Sequence, residues 1–99
     1  MIYRIYLRPE AEAEISETAV WYAQRSTGLG TAFLDEVSKT LAVLEENPDQ
    51  YPVAEGEIRK AVLRRFPYVV LFRARGDEVV VISCFHTRRD PTQWRNRLP

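Results

Sequence analysis

Arg64-Arg65-Phe66-Pro67-Tyr68-Val69-Val70-Leu71-Phe72 runs toward a Gly76-Asp77 turn and continues as Val79-Val80-Val81-Ile82-Ser83-Cys84-Phe85-His86. It closes on Thr87-Arg88-Arg89-Asp90-Pro91-Thr92-Gln93-Trp94-Arg95. This stretch decides the fold. Two runs rich in β-branched and aromatic residues, joined through a short loop that carries a glycine, predict a β-hairpin. The second run is apolar at nearly every position, as in a strand that is covered on both faces or central in its sheet. The hairpin also delivers a lone histidine and a group of arginines to one end, which suits a surface that meets anionic groups.

Working outward, strands are predicted at 58–64, 68–73 and 79–85. Residues 49–57 read as a turn-rich connector broken by Pro52 and Gly56. Upstream, Phe33, Val37, Leu41 and Leu44 recur at helical spacing, with Leu34 widening the stripe, and Asn47-Pro48 ends that helix. An earlier helix spans 9–25. Pro9 suits its first turn, Glu10, Glu12 and Glu14 favour its N-terminus, and Ala11, Ile15, Ala19 and Tyr22 form its stripe. The Ser26–Gly30 break makes the two helices an antiparallel hairpin. Residues 2–7 split by face and read as an opening strand. The order strand-helix-helix-strand-strand-strand predicts an α+β domain over residues 1–99, a mainly antiparallel sheet with the helical hairpin packed on one face.

Composition excludes several classes. With 45% hydrophobic and 28% charged residues the chain has enough apolar surface to fold. No run approaches the roughly 18 apolar residues of a membrane span, and the first residues lack a secretory signal. The single cysteine, Cys84, rules out an internal disulfide and a multi-cysteine metal site, which fits a cytoplasmic location. The formal net charge of zero conceals a split by sign. Residues 1–57 carry four basic groups against eleven acidic ones, while residues 58–99 carry ten basic groups against three acidic ones. Nine of those ten cations are arginine, which favours bidentate contact with carboxylates and phosphates.

The order of elements, and the residues that carry it, resemble the RelE/ParE superfamily of bacterial type II toxin–antitoxin toxins over the whole chain. Arg8-Pro9-Glu10-Ala11 after the opening strand resembles the family's lead-in to its first helix. Trp21-Tyr22, Gly30-x-x-Phe33 and Leu44-to-Pro48 resemble its helix ends. Phe66-Pro67-Tyr68-Val69-Val70 and His86-x-Arg88-Arg89-Asp90-Pro91-x-x-Trp94 are most similar to the ParE branch. The resemblance implies a growth-inhibiting toxin neutralised by a cognate antitoxin, whose extended or helical C-terminal segment wraps it. It implies no metal and no organic cofactor, no membrane partner, and operator DNA contact only through the antitoxin. ParE-type toxins act on DNA gyrase, whereas RelE-type toxins cleave mRNA in the ribosomal A site.

Two site expectations follow. Target or antitoxin binding falls to Arg59, Arg64, Arg65, Arg88, Arg89 and Trp94. Under the ribonuclease alternative, 2′-OH attack needs a base, an acid and cations around the phosphorane. His86, Arg64 and Arg88 are then the candidates, with Glu55 and Glu57 as possible bases. The RelE pattern places an aromatic hydroxyl near its basic cluster, and this chain has no tyrosine after Tyr68, which favours a non-nucleolytic, gyrase-directed toxin. Structural readings stand beside these: His86 held by backbone, Asp90 as a helix cap, Trp94 packed on the sheet edge, Cys84 as a small buried hydrophobe. Glu10, Glu12, Glu14 and Glu17 read as a solvated helix face.

Overall fold

The computed structural model describes residues 2–88. The order is β1 (Arg4–Leu7), α1 (Pro9–Arg25), α2 (Leu29–Glu46), a 3-10 turn (Pro48–Gln50), β2 (Val53–Glu55), β3 (Ile58–Val62), β4 (Tyr68–Arg75) and β5 (Glu78–His86). The five strands form one sheet in the order β1-β5-β4-β3-β2. Neighbours from β2 to β5 are antiparallel, and β1 runs parallel to β5. A parallel neighbour needs a long crossover; here the chain leaves β1 through both helices and returns by the meander.

Local chemistry sets the helix ends. Pro9 opens α1, with Glu10 and Glu12 in its first turn, and the chain breaks at Ser26, whose amide still donates to the Tyr22 carbonyl. Gly28 takes φ 83°, a left-handed conformation that a side chain resists, and starts α2 at once. Two residues later Gly30 lies against α1. A Cβ built there would sit 2.5 Å from the Ala19 carbonyl oxygen and 3.0 Å from the Ala23 Cβ. The close approach of the helices at this crossing therefore requires glycine.

One face of the sheet packs on the hairpin. Phe33 and Leu44 from α2, with Ala11 and Ile15 from α1, meet Val70, Phe72, Val79 and Val81. The opposite face carries its own buried apolar cluster of Ile58, Val69, Leu71, Ile82 and Phe85. The near-continuous apolar run of β5 thus serves two faces. A bulge supports this arrangement, because Leu71 pairs with Ser83 while Phe72 pairs with Val81, leaving Ile82 as the extra residue.

Three expectations are corrected. The connector 49–57 holds a 3-10 turn and a short edge strand, β2, which pairs with β3 across a register shift. Leu34 does not widen the buried stripe: one step past Phe33 on the helix, it turns away from the sheet and is 43% exposed. Glu14 is half-buried rather than one more residue of a solvated face. Pairing of β1 with β5 stops at Leu7 and Val81, so the edge of β5 beyond is left open. Glu14 of α1 closes it, accepting from the Ser83 hydroxyl at 2.9 Å and the Cys84 amide at 3.1 Å. A side chain thus replaces a missing strand as acceptor.

Gly30→Ala is expected to destabilise the fold by about 1–3 kcal/mol, because the clash involves backbone and exceeds the roughly 1 kcal/mol gained in helix propensity. The thermal midpoint should fall by at least about 4 °C. Glu14→Ala strands the buried Cys84 amide and should cost about 1–3 kcal/mol in urea unfolding, whereas Glu14→Gln keeps an acceptor and should cost less. Burial, and then the charge of Glu14, push the Cys84 thiol up to about 12. The unfolded thiol titrates near about 8.5, so this contribution to stability is complete below that pH and is lost as pH rises toward the folded value. Iodoacetamide at pH 8 should therefore label Cys84 only after unfolding.

Candidate functional site

The turn from β3 to β4 builds the basic end of the sheet. Phe66 is buried, with its ring centroid 5.0 Å from that of Tyr22 and 5.3 Å from that of Phe33. This anchor pulls the turn onto the helical hairpin and leaves Arg64 and Arg65 exposed ahead of it. Pro67 offers only its carbonyl, which accepts from the Thr87 amide at 2.9 Å and ties the end of β5 to the turn. Tyr68 pairs with His86 in the ladder, and their rings meet edge to face at 5.3 Å. The Arg88 amide donates to His86 Nδ1 at 3.1 Å, so the ring is held by backbone.

Two clefts open on either side of the Phe66–Tyr68 segment. The first, of about 690 Å³, lies between α1 and the sheet end. Its lining includes Trp21, Tyr22, Tyr68, His86, Arg88 and Glu17. Trp21 is 47% exposed, and the Arg25 guanidinium carbon lies 4.3 Å from its ring centroid. The second cleft, of about 550 Å³, lies between α2 and the end of β3 and includes Glu36, Lys39, Tyr51, Val62, Arg64 and Arg65.

Arg64, Arg65 and Arg88 are thus brought to one end of the sheet, and no ion pair forms on them among the described residues. Arg59 is placed elsewhere: half-buried, it donates to the carbonyls of Asp49 at 3.3 Å and Tyr51 at 2.5 Å, holding the connector against β3. Arg89 and Trp94 lie outside the described residues, as does Asp90. At the opposite end of the sheet two cations are paired, Arg4 with Asp77 at 3.2 Å and Arg75 with Glu57 at 2.6 Å, while Arg73 has Nε and Nη1 buried with no hydrogen-bond partner among the described residues. Exposed arginines without an ion pair among the described residues are thus gathered at the end that carries the β3–β4 turn.

The ribonuclease groups are not assembled in one cleft. His86 and Arg88 line the first and Arg64 lines the second. Glu57 is bound to Arg75 near the β4–β5 turn, the full nine-residue length of β5 from His86. That separation is roughly 25 Å at about 3.3 Å per residue. Among the described residues no three His, Cys, Asp or Glu side chains are grouped to hold a metal ion. Two residues of this region were not singled out in the sequence. Arg25, one turn past Trp21, was readable as a cation over a ring. Glu36 looked like one more polar helix position and is buried.

The comparisons agree with this geometry. The family model described as the ParE toxin of the type II toxin–antitoxin system, parDE, matches residues 5–91. No curated protein matches the chain significantly in sequence. Among solved structures, a chain of the chromosomal ParDE toxin–antitoxin system from P. aeruginosa superposes with a TM-score of 0.73 at 17% identity, over 86% of this chain and 96% of that one. The E. coli toxin RelE, as a double arginine-to-alanine mutant in the free state, superposes with a TM-score of 0.70 at 16% identity over 100% of both chains. At such identities the likeness is one of fold, and the family model carries the assignment: the chain belongs to the ParE family of toxins of type II toxin–antitoxin systems.

Proposed function

We propose that this toxin arrests growth by binding DNA gyrase as a protein ligand, in the cytoplasm, and that it cuts no nucleic acid. The observation that carries this reading is the separation of the groups a ribonuclease needs. Acid–base catalysis requires its groups within hydrogen-bond reach of one phosphate. Here the imidazole, the turn arginine Arg64 and the candidate base Glu57 are distributed over two clefts and the far end of the sheet. Binding makes no such demand. Three arginines without ion-pair partners among the described residues, one of them lining the same cleft as a half-exposed tryptophan, offer the anchor types that dominate protein interfaces. The cognate antitoxin competes for the same end, which explains how it would neutralise the toxin.

Purified toxin is expected to block supercoiling of relaxed plasmid by gyrase. Arg88→Ala, and the double variant Arg64→Ala with Arg65→Ala, should each raise the concentration required by about tenfold or more, the loss of one interface anchor. Full supercoiling with toxin in excess would refute the reading. Codon-phased mRNA ends in a translation extract that disappear with His86→Ala would replace it with the RelE-type activity.

A further inference from the structure

Trp21 is held in place without being buried. It is 47% exposed and lines the first cleft. Its ring meets Tyr22 edge to face at 5.1 Å, and Tyr22 is itself packed on Phe33 and Phe66 of the core. From the next turn of α1, Arg25 lies over the indole, with its guanidinium carbon 4.3 Å from the ring centroid. Arg25 is exposed, forms no ion pair among the described residues, and takes no part in lining the cleft. The cation therefore backs the ring from outside, and the indole offers the cleft its remaining surface.

Stacking of a guanidinium on an indole is attractive and restricts both side chains. A side chain ordered before association removes a cost otherwise met at the interface. Tryptophan is also among the residues that carry most of the energy where proteins meet. The cleft walls give its occupant a direction. Glu17 lines it from α1, and Arg88, which forms no ion pair among the described residues, lines it from the end of the sheet. An apolar side chain against the indole, followed by a carboxylate toward Arg88, suits both walls; a carboxylate placed toward Glu17 is repelled. We infer that Trp21 is the principal anchor for gyrase and that Arg25 is a positioning residue, which fixes the indole for a gyrase segment carrying an apolar side chain next to a carboxylate. This inference rests on the gyrase reading and adds to it the contact that carries most of the affinity.

Inhibition of supercoiling by variants of the full chain, with thermal unfolding as the control for folding, tests this. Trp21→Ala should raise the toxin concentration required by about thirtyfold or more, the loss of a dominant anchor. Arg25→Ala should raise it about threefold to tenfold, the cost of ordering one side chain on binding. Arg25→Lys keeps a cation over the ring and should restore most of that loss. The double variant should match Trp21→Ala alone, because Arg25 acts through the ring. In a Trp94→Phe background Trp21 is the sole tryptophan. There, Arg25→Ala should speed the decay of fluorescence anisotropy in free toxin at an unchanged thermal midpoint. Wild-type potency in Trp21→Ala, or losses that multiply in the double variant, would overturn the inference and leave the gyrase reading intact. Unchanged anisotropy decay would overturn the role of Arg25. The Arg25 variants alter an exposed side chain, so they decide the matter even if Trp21→Ala fails to fold. Wild-type toxin that leaves gyrase uninhibited would overturn both readings.

Discussion

Burial of Phe66 is the constraint on which the basic end depends. Its ring packs between Tyr22 of α1 and Phe33 of α2, and Tyr68 closes on the same two rings at 6.2 Å and 5.4 Å. Edge-to-face pairs of this kind contribute about 0.5–1.5 kcal/mol beyond their buried area. They also set direction. A turn held at its third residue presents the two residues before it to solvent, and those are Arg64 and Arg65. The carbonyl of Pro67 then captures the Thr87 amide, so the residues after β5 emerge beside the turn. Arginines from two separate segments share one end because a phenylalanine between them is bound to the helices.

Charge follows the same division. The acidic first half of the chain does not neutralise the basic second half uniformly. Asp77 and Glu78 engage Arg4, and Glu57 engages Arg75, all at the end near the β4–β5 turn. These exposed pairs add little to stability. Their effect is to offset the charges of Arg4 and Arg75, while Arg64, Arg65 and Arg88 at the other end form no ion pair among the described residues. Arg59 differs from the turn arginines, since its Nη1 donates to two backbone carbonyls and the residue is half-buried against the connector.

Much of this was legible in the sequence wherever a local rule acted. Pro9 and the Ser26–Gly30 break delimit α1, Asn47-Pro48 closes α2, and the Gly76-Asp77 turn joins β4 to β5 as read. What escaped depends on partners distant in sequence. β2 has three exposed residues and exists only because β3 offers an edge. An apolar run such as β5 carries no sign of whether its neighbour is parallel, so the β1 pairing was not specified. Glu14 sits in a row of similar glutamates, and only the shortness of β1 makes it an acceptor for β5. Arg59 and Arg64 looked equivalent as cations. The position of Phe66 exposes one, and the connector holds the other.

The division of the basic end into two clefts bears on what this surface can do. Phosphoryl chemistry concentrates its groups around one reacting atom. An interface spreads its anchors around a centre and tolerates several ångströms between them. The Phe66–Tyr68 segment stands between the two clefts, and it cannot be lowered without exposing Phe66 and opening the core beneath. The rings that gather the arginines at one end therefore also keep Arg64 apart from His86. The same packing holds Arg64 and His86 in separate clefts, and the proposal of recognition rather than catalysis rests on that separation.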